Sequence, residues 1–355
     1  GAHGYAYHLN AAKFAQLLAH NAIEKYNVSH VFANVCDVEI ASSGEISALH
    51  TDECGRLEFD FFIDCTGFEG LLMEKALKVP FISKSKELLV NKALVVQIPT
   101  DQSDEIPPFT IATAHQAGWI WDITLTNRRG VGLVYSDNHM TDKEAIAKLD
   151  GYLGKKSEGL TYRTLPMRIG HSEKFWHKNC VVLGLAQGFL EPLEATSILL
   201  TDFAASFLAR KFPSHKSEMV VLAQRFNQVM DYAWLRVIDF IKLHYYLSDR
   251  KDSQFWLDNQ MPEVLTGSLK QRLELWRSFT PHPDDFFAQF EVFNVDNYLY
   301  LLYGMNYPTR VNNTQSEDSY ELKQHADKIA RGSEYIEGKL PQHRDLINSI
   351  TLSGC

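Results

Sequence analysis

Apolar positions fall into two regimes along this chain of 355 residues. In the first half they come as short runs or strict alternation, the period of strands; in the second they recur every three or four residues, the period of helices. After a helical stretch at 11–25, short runs predict strands at 28–35, 38–41, 46–51 and 58–65, with Ser43-Gly44 as a turn. Alternating segments such as Ala93-Leu94-Val95-Val96-Gln97-Ile98 and Gly130-Val131-Gly132-Leu133-Val134-Tyr135 predict a larger mixed sheet across 90–182, with one helix inserted at 142–153. Cys180-Val181-Val182-Leu183-Gly184 reads as a buried strand ended by glycine. Leu193, Ile198, Leu199, Phe203, Phe207 and Leu208 then keep helical spacing until Arg210, Lys211 and Pro213 stop the run. Pro192 marks the helix start, because its missing N–H costs nothing in a first turn. From Lys216 the chain reads as helices at 217–244, 252–259, 268–278 and 295–303. The polar run Asn312-Asn313-Thr314-Gln315-Ser316-Glu317 precedes a last helix near 320–329.

A helix that opens after a strand gathers unpaired N–H groups and a partial positive charge, which suits an anion. Glu191-Pro192-Leu193-Glu194-Ala195-Thr196 places two carboxylates at such a start. Acidic residues there commonly do no more than complement the dipole, yet Glu194 beside an anion site suggests chemistry. In Ala117-Gly118-Trp119-Ile120-Trp121-Asp122-Ile123 the two indoles would share one face of a strand, to wall an apolar tunnel or to fill a core.

Charge narrows the partners. A net charge of −9 with pI near 5.9 and no basic stripe argues against nucleic acid, so any bound anion needs a local site. Five cysteines without paired spacing (Cys36, Cys54, Cys65, Cys180, Cys355) read as reduced, mostly buried thiols of a cytoplasmic protein. No apolar run reaches membrane-spanning length and no signal peptide is visible. No metal site is expected: His282-Pro283-Asp284-Asp285 reads as a solvated loop, and His171, His177 and His244 as ordinary structural or surface histidines.

The paired tryptophans and the Glu191–Ser197 segment together resemble the tryptophan-type, flavin-dependent halogenase family. Its signatures are Trp-x-Trp-x-Ile-Pro and Glu-Pro-Leu-Glu-Ser-Thr-Gly; Thr124, Ala195 and Ser197 depart from them. Gly4-Tyr5-Ala6-Tyr7-His8-Leu9-Asn10 is similar to the family's lead into a helix. The run from Phe59 to Phe68, containing Asp64-Cys65-Thr66-Gly67, is similar to a motif shared with flavin monooxygenases. Met167-Arg168-Ile169-Gly170, the strand at Val181, and Phe240 to Tyr245 with Phe255-Trp256 also fit; the tail after about residue 310 does not.

The resemblance implies an α/β fold: part of a dinucleotide-binding, flavin monooxygenase-like module (1–75), a sheet-rich substrate-side region (76–180), a flavin- and halide-contacting strand and helix (181–213), and a helical substrate-binding subdomain with tail (214–355). It implies FAD, reduced by a separate flavin reductase, which with oxygen turns halide into hypohalous acid for attack on a small, indole-like aromatic. Trp119 and Trp121 would line the path, Thr196 and Ser197 would bind halide, and Glu194 would sit by the substrate. Gly67, Leu185 and Ile198 would pack on the flavin, with Val35 at its adenine end. Tyr298, near Phe290, Glu291 and Phe293, would replace a family tryptophan that sandwiches the substrate. Homodimers are common in the family. No G-x-G-x-x-G occurs, and the family's catalytic lysine belongs upstream of the first residue. The expectation is therefore a C-terminal portion of a longer enzyme, truncated or completed by another chain, that binds FAD poorly alone. Two readings compete with halogenation: an aromatic flavin monooxygenase, and a non-catalytic aromatic-binding remnant.

Overall fold

The computed structural model describes residues 6–288, 290–310 and 319–352. Helix α1 (Ala11–Tyr26) is capped by the Asn10 side chain, which accepts the Lys13 N–H, and ends at left-handed Asn27. The strand expected at 28–35 does not form: Val28, Val31 and Phe32 stay exposed, and extended propensity without a partner strand makes no ladder. Pairing begins at β1 (Val35–Ile40), which joins β2 (Ile46–Thr51) and β3 (Gly55–Leu57) in an antiparallel meander. The strand expected over 58–65 shrinks to β4 (Phe62–Asp64).

After β5 (Phe81–Ser83) come β6 (Lys92–Pro99), β7 (Ile111–His115), β8 (Gly118–Thr124) and β9 (Arg128–Tyr135). Helix α2 (Asp142–Leu153) follows, opened by a reciprocal Thr141–Glu144 capping box and coinciding with the expected helix. Its Ala145, Leu149 and Leu153, four residues apart, are buried on one face. With β10 (Arg163–Pro166) the long strands form a sheet in the order β10-β6-β9-β8-β7, antiparallel throughout. Three short strands follow: β11 (Gly170–Ser172), β12 (Trp176–His177) and β13 (Cys180–Val182). Then β14 (Gly188–Phe189) joins β11 and β5. The parallel pairing that makes the sheets mixed is β13 on β4.

Helix α3 (Thr196–Arg210) leads into α4 (Met219–Leu247), whose buried Phe226, Met230, Ala233, Val237 and Ile241 run along the core. The remaining helices are α5 (Gln254–Asn259), α6 (Gly267–Trp276), α7 (Val295–Gly304), α8 (Ser319–Glu337) and α9 (His343–Leu352). The last expected helix lies within α8; the polar run at 312–317 lies outside the described residues, as do Gly4 and Tyr5. Helix α9 docks through His343, bonded to the Ile106 carbonyl at 2.9 Å, and Arg344, which donates to the Asp104 carbonyl. Cys180 is buried, but Cys36, Cys54 and Cys65 are exposed free thiols, so among the described residues the thiols are not mostly buried as expected; Cys355 lies outside them. Among the described residues, no helix is long and apolar enough to cross a membrane.

Candidate active site

Strands β4 and β13 run in parallel and end at Asp64 and Val182. Asp64, fully buried, accepts the Thr66 N–H at 3.0 Å and hydroxyl at 2.6 Å on one oxygen, and the Leu72 and Met73 N–H groups at 2.9 Å on the other. Four donors on one carboxylate pin the turn that follows. Gly67 (φ 68°) and Gly184 (φ 64°) stand in left-handed turns, with nothing within 4 Å of where a Cβ would project. Leu185 and Ile198 are exposed, Ile198 at 60%. Open turns beyond the carboxyl ends of parallel strands are where α/β sheets hold ligands, and this open, apolar face suits a flat ring such as a flavin. Val35 stands apart, at the start of β1 opposite Thr51.

The lead into α3 departs from the expected helix. Glu194 (φ 68°, ψ 6°) and Ala195 (φ 49°, ψ 37°) are both left-handed, so α3 begins at Thr196 and Glu194 precedes its first turn. Such a conformation costs a non-glycine residue roughly 1–3 kcal/mol and persists only where the surroundings impose it. Here the Glu194 carboxylate reaches α4, its Oε1 lying 3.0 Å from His244 Nε2. The kink leaves the α3 N-terminus, at buried Thr196 and exposed Ser197, without a side-chain cap on its first amides. A small anion can take that place.

His244 Nδ1 lies 2.8 Å from the Phe240 carbonyl, which accepts a hydrogen bond from it and fixes the tautomer. Nε2 then faces Glu194 Oε1 at 3.0 Å, close enough for a proton to pass between the two groups.

Three residues before Glu194, Glu191 is 1% exposed. Its Oε2 accepts the Trp119 indole N–H at 2.8 Å and the Tyr245 hydroxyl at 2.5 Å, while Oε1 has no partner. Burial pushes the Glu191 carboxyl up to about 7, with the Tyr245 and Trp119 hydrogen bonds opposing. Lys242, buried on the same stretch of α4, donates to Asn259 Oδ1 at 2.9 Å; burial draws its amine down to about 7 against the pull of Glu191. Glu191 thus ties β8, the strained turn and α4 together.

Trp119 and Trp121 share one face of β8, their ring centroids 6.2 Å apart. Trp121 lies over Gly132 of β9, where an added Cβ would come within 1.9 Å of its ring, so only glycine allows this packing. Trp119, with Leu193, His244, Tyr245, Trp256 and Met305, lines a cavity of about 190 Å³. That is smaller than the roughly 300–1,000 Å³ of sites for drug-sized ligands, and suits one small arene.

Tyr298 does not face that cavity. It is fully buried among Phe240, Trp276 and Phe286, and its hydroxyl accepts from Arg272 at 3.1 Å, so its expected substrate contact is replaced by a core role. Phe290 stacks on Phe203 and Phe293 on Phe240, while Glu291 accepts the Tyr232 hydroxyl. Met305, just past α7, reaches the cavity instead.

His244, expected as a structural or surface histidine, pairs with Glu194 at 3.0 Å; the sequence signal for that pairing is a Lys and a His interrupting the apolar run Phe240-Ile241-Lys242-Leu243-His244. His171 is structural, stacked on Phe175 with centroids 5.6 Å apart. Among the described residues no group of His, Cys, Asp and Glu could hold a metal, and His282 caps its own turn by accepting the Asp284 N–H.

A family profile described as tryptophan halogenase matches residues 1–318. A 7-chloro-L-tryptophan 6-halogenase of Kutzneria sp. (strain 744) is 35% identical over 305 residues, 84% of this chain and 58% of that protein. A tryptophan 7-halogenase of Lentzea aerocolonigenes is 33% identical over 314 residues, 85% of this chain and 59% of the relative. The crystal structure of a tryptophan halogenase from Shewanella frigidimarina superposes with a TM-score of 0.92 at 35% identity, covering 98% of this chain and 67% of that one. The chain spans a little over half the length of the curated relatives it matches. With its paired tryptophans, its strained acidic turn and its uncapped α3 in place, the chain belongs to the tryptophan halogenase family.

Proposed function

We propose that the protein carrying this chain is a flavin-dependent halogenase that replaces an aromatic C–H with C–halogen, using reduced FAD, oxygen and chloride or bromide. One arrangement carries the reading: the Glu194–His244 pair stands between the uncapped start of α3 and an apolar cavity walled by Trp119. Reduced flavin with oxygen would supply the two-electron oxidation of halide. The exposed turns at Gly67 and Leu185, with Ile198, would seat the flavin ring, and Val35 would lie toward its adenine end.

The amides of Thr196 and Ser197 would hold the halide beside that ring, because an uncapped helix start stabilises negative charge. Trp119 and Trp121 would form the wall that keeps water from the oxidised halogen and aims it at the cavity. After the arene takes the halogen, the ring carbon must lose a proton, and Glu194 would accept it, with His244 Nε2 3.0 Å from its Oε1. Relatives named as tryptophan halogenases support an indole-type substrate, although the family's late tryptophan has no counterpart at Tyr298. A transient flavin reductase and a homodimer belong to the same proposal.

The test is product analysis. With a flavin reductase, bromide and indole, mass spectrometry should find bromoindole. Oxygen added without halogen would make the protein a monooxygenase; binding of indole without turnover would make it a non-catalytic aromatic-binding protein.

A further inference from the structure

The cavity beside Glu194 has a charged rim. Arg250, on the loop between α4 and α5, lines it together with Ser248 and Trp256. Its backbone is fixed on both sides: its N–H donates to Ser248 Oγ at 3.3 Å, and its carbonyl accepts from Gln260 Nε2 at 2.7 Å. The guanidinium carbon lies 5.1 Å from the centroid of the Trp256 ring, and Trp256 is itself anchored by its indole N–H on the His115 carbonyl at 2.9 Å. A cation is thus held over an aromatic wall of the cavity.

Asp252 takes only part of that cation. Its carboxylate accepts from Arg250 Nε at 3.0 Å and Nη2 at 2.7 Å, while Nη1 makes no hydrogen bond within the described protein. The Asp252 side chain is 52% exposed, so water screens the pair and a second carboxylate can share the guanidinium at little cost. No residue lining the cavity is acidic. An ammonium beside Arg250 would meet a like charge at the rim.

Resting on the cavity being the arene site, we propose that Arg250 sorts substrates by charge. The favoured class is a small aromatic bearing a carboxylate on a short arm: the ring lies against Trp119 and Trp256, and the carboxylate accepts from Nη1 at the rim. The guanidinium's planar fork matches a carboxylate, whereas an amine on the same arm is repelled by it.

Calorimetric titration of the protein with indole, indole-3-acetate and tryptamine at neutral pH tests this. Indole-3-acetate should bind most tightly and tryptamine least. Arg250→Gln should cut the affinity ratio of acetate to tryptamine by about fivefold, the scale of a partly exposed ion pair, while Arg250→Lys should keep the order. Tryptamine binding as tightly as indole-3-acetate, or a ratio unmoved by Arg250→Gln, overturns the charge preference and leaves halogenation of a neutral arene standing. Binding of none of the three overturns the assignment of the cavity, and the charge preference with it.

Discussion

The turn from Glu191 to Ser197 and the helix from Val295 to Gly304 are both rich in groups that could meet a substrate, and the two differ in how those groups are satisfied. In the helix, Tyr298 is packed on three aromatic rings and its hydroxyl is bonded to Arg272. In the turn, two successive non-glycine residues are left-handed, the following helix is uncapped, and a buried carboxylate oxygen of Glu191 has no partner. Closed packing marks core, whereas strain and unmet hydrogen-bonding capacity mark a place shaped for something other than stability.

The contrast can be broken most sharply in the helix. Tyr298→Ala should destabilise the protein by about 3–5 kcal/mol, the range for removing a large buried aromatic, as read by denaturant unfolding. Tyr298→Phe should leave indole affinity unchanged; a loss of affinity larger than the loss of stability would return Tyr298 to the substrate site.

The turn should respond to pH. The folded-state pKa of Glu191, about 7, lies above the ordinary 4.5, so its contribution to stability is fully present below 4.5 and is lost as pH rises through 7. Lys242 runs the other way: its folded value is depressed from 10.5 to about 7, so its contribution is present above 10.5 and is lost as pH falls through 7. Relative to wild type, Glu191→Gln should gain on the order of 3 kcal/mol between pH 4.5 and pH 8, because the variant escapes ionisation of a buried carboxyl. A difference that stays flat across that window would remove Glu191 as a strained anchor.

The smallest effect lies at Ala195. Ala195→Gly should stabilise the fold by about 1 kcal/mol, since glycine occupies the left-handed region without a Cβ clash. A destabilised variant would mean that the turn is not under strain.

The same contrast sets what the sequence could reveal. Helix α2 was legible because Thr141 and Glu144 cap it and its apolar residues recur every four positions. The tryptophan pair was legible because strand alternation must put residues two apart on one face. The kink at Glu194 and Ala195 was not, because no glycine announces a positive φ there, and the contact of Glu194 with His244 joins residues fifty apart in the sequence. Tyr298 misled because helical spacing of aromatics is the same whether the face meets a cavity or a core. Residues 28–34 misled because strand propensity counts only where another strand pairs with it.

Glu194 is where the strained turn meets the proposed chemistry, so its substitution is the most direct test. The measurement is the single-turnover rate of bromination in Glu194→Gln, with His244 and the α3 N-terminus intact. The predicted result is a fall of about a hundredfold or more, with arene binding retained, as expected on removing a positioned base. Bromination at the wild-type rate would contradict the placement of the reacting centre between Glu194, His244 and Thr196.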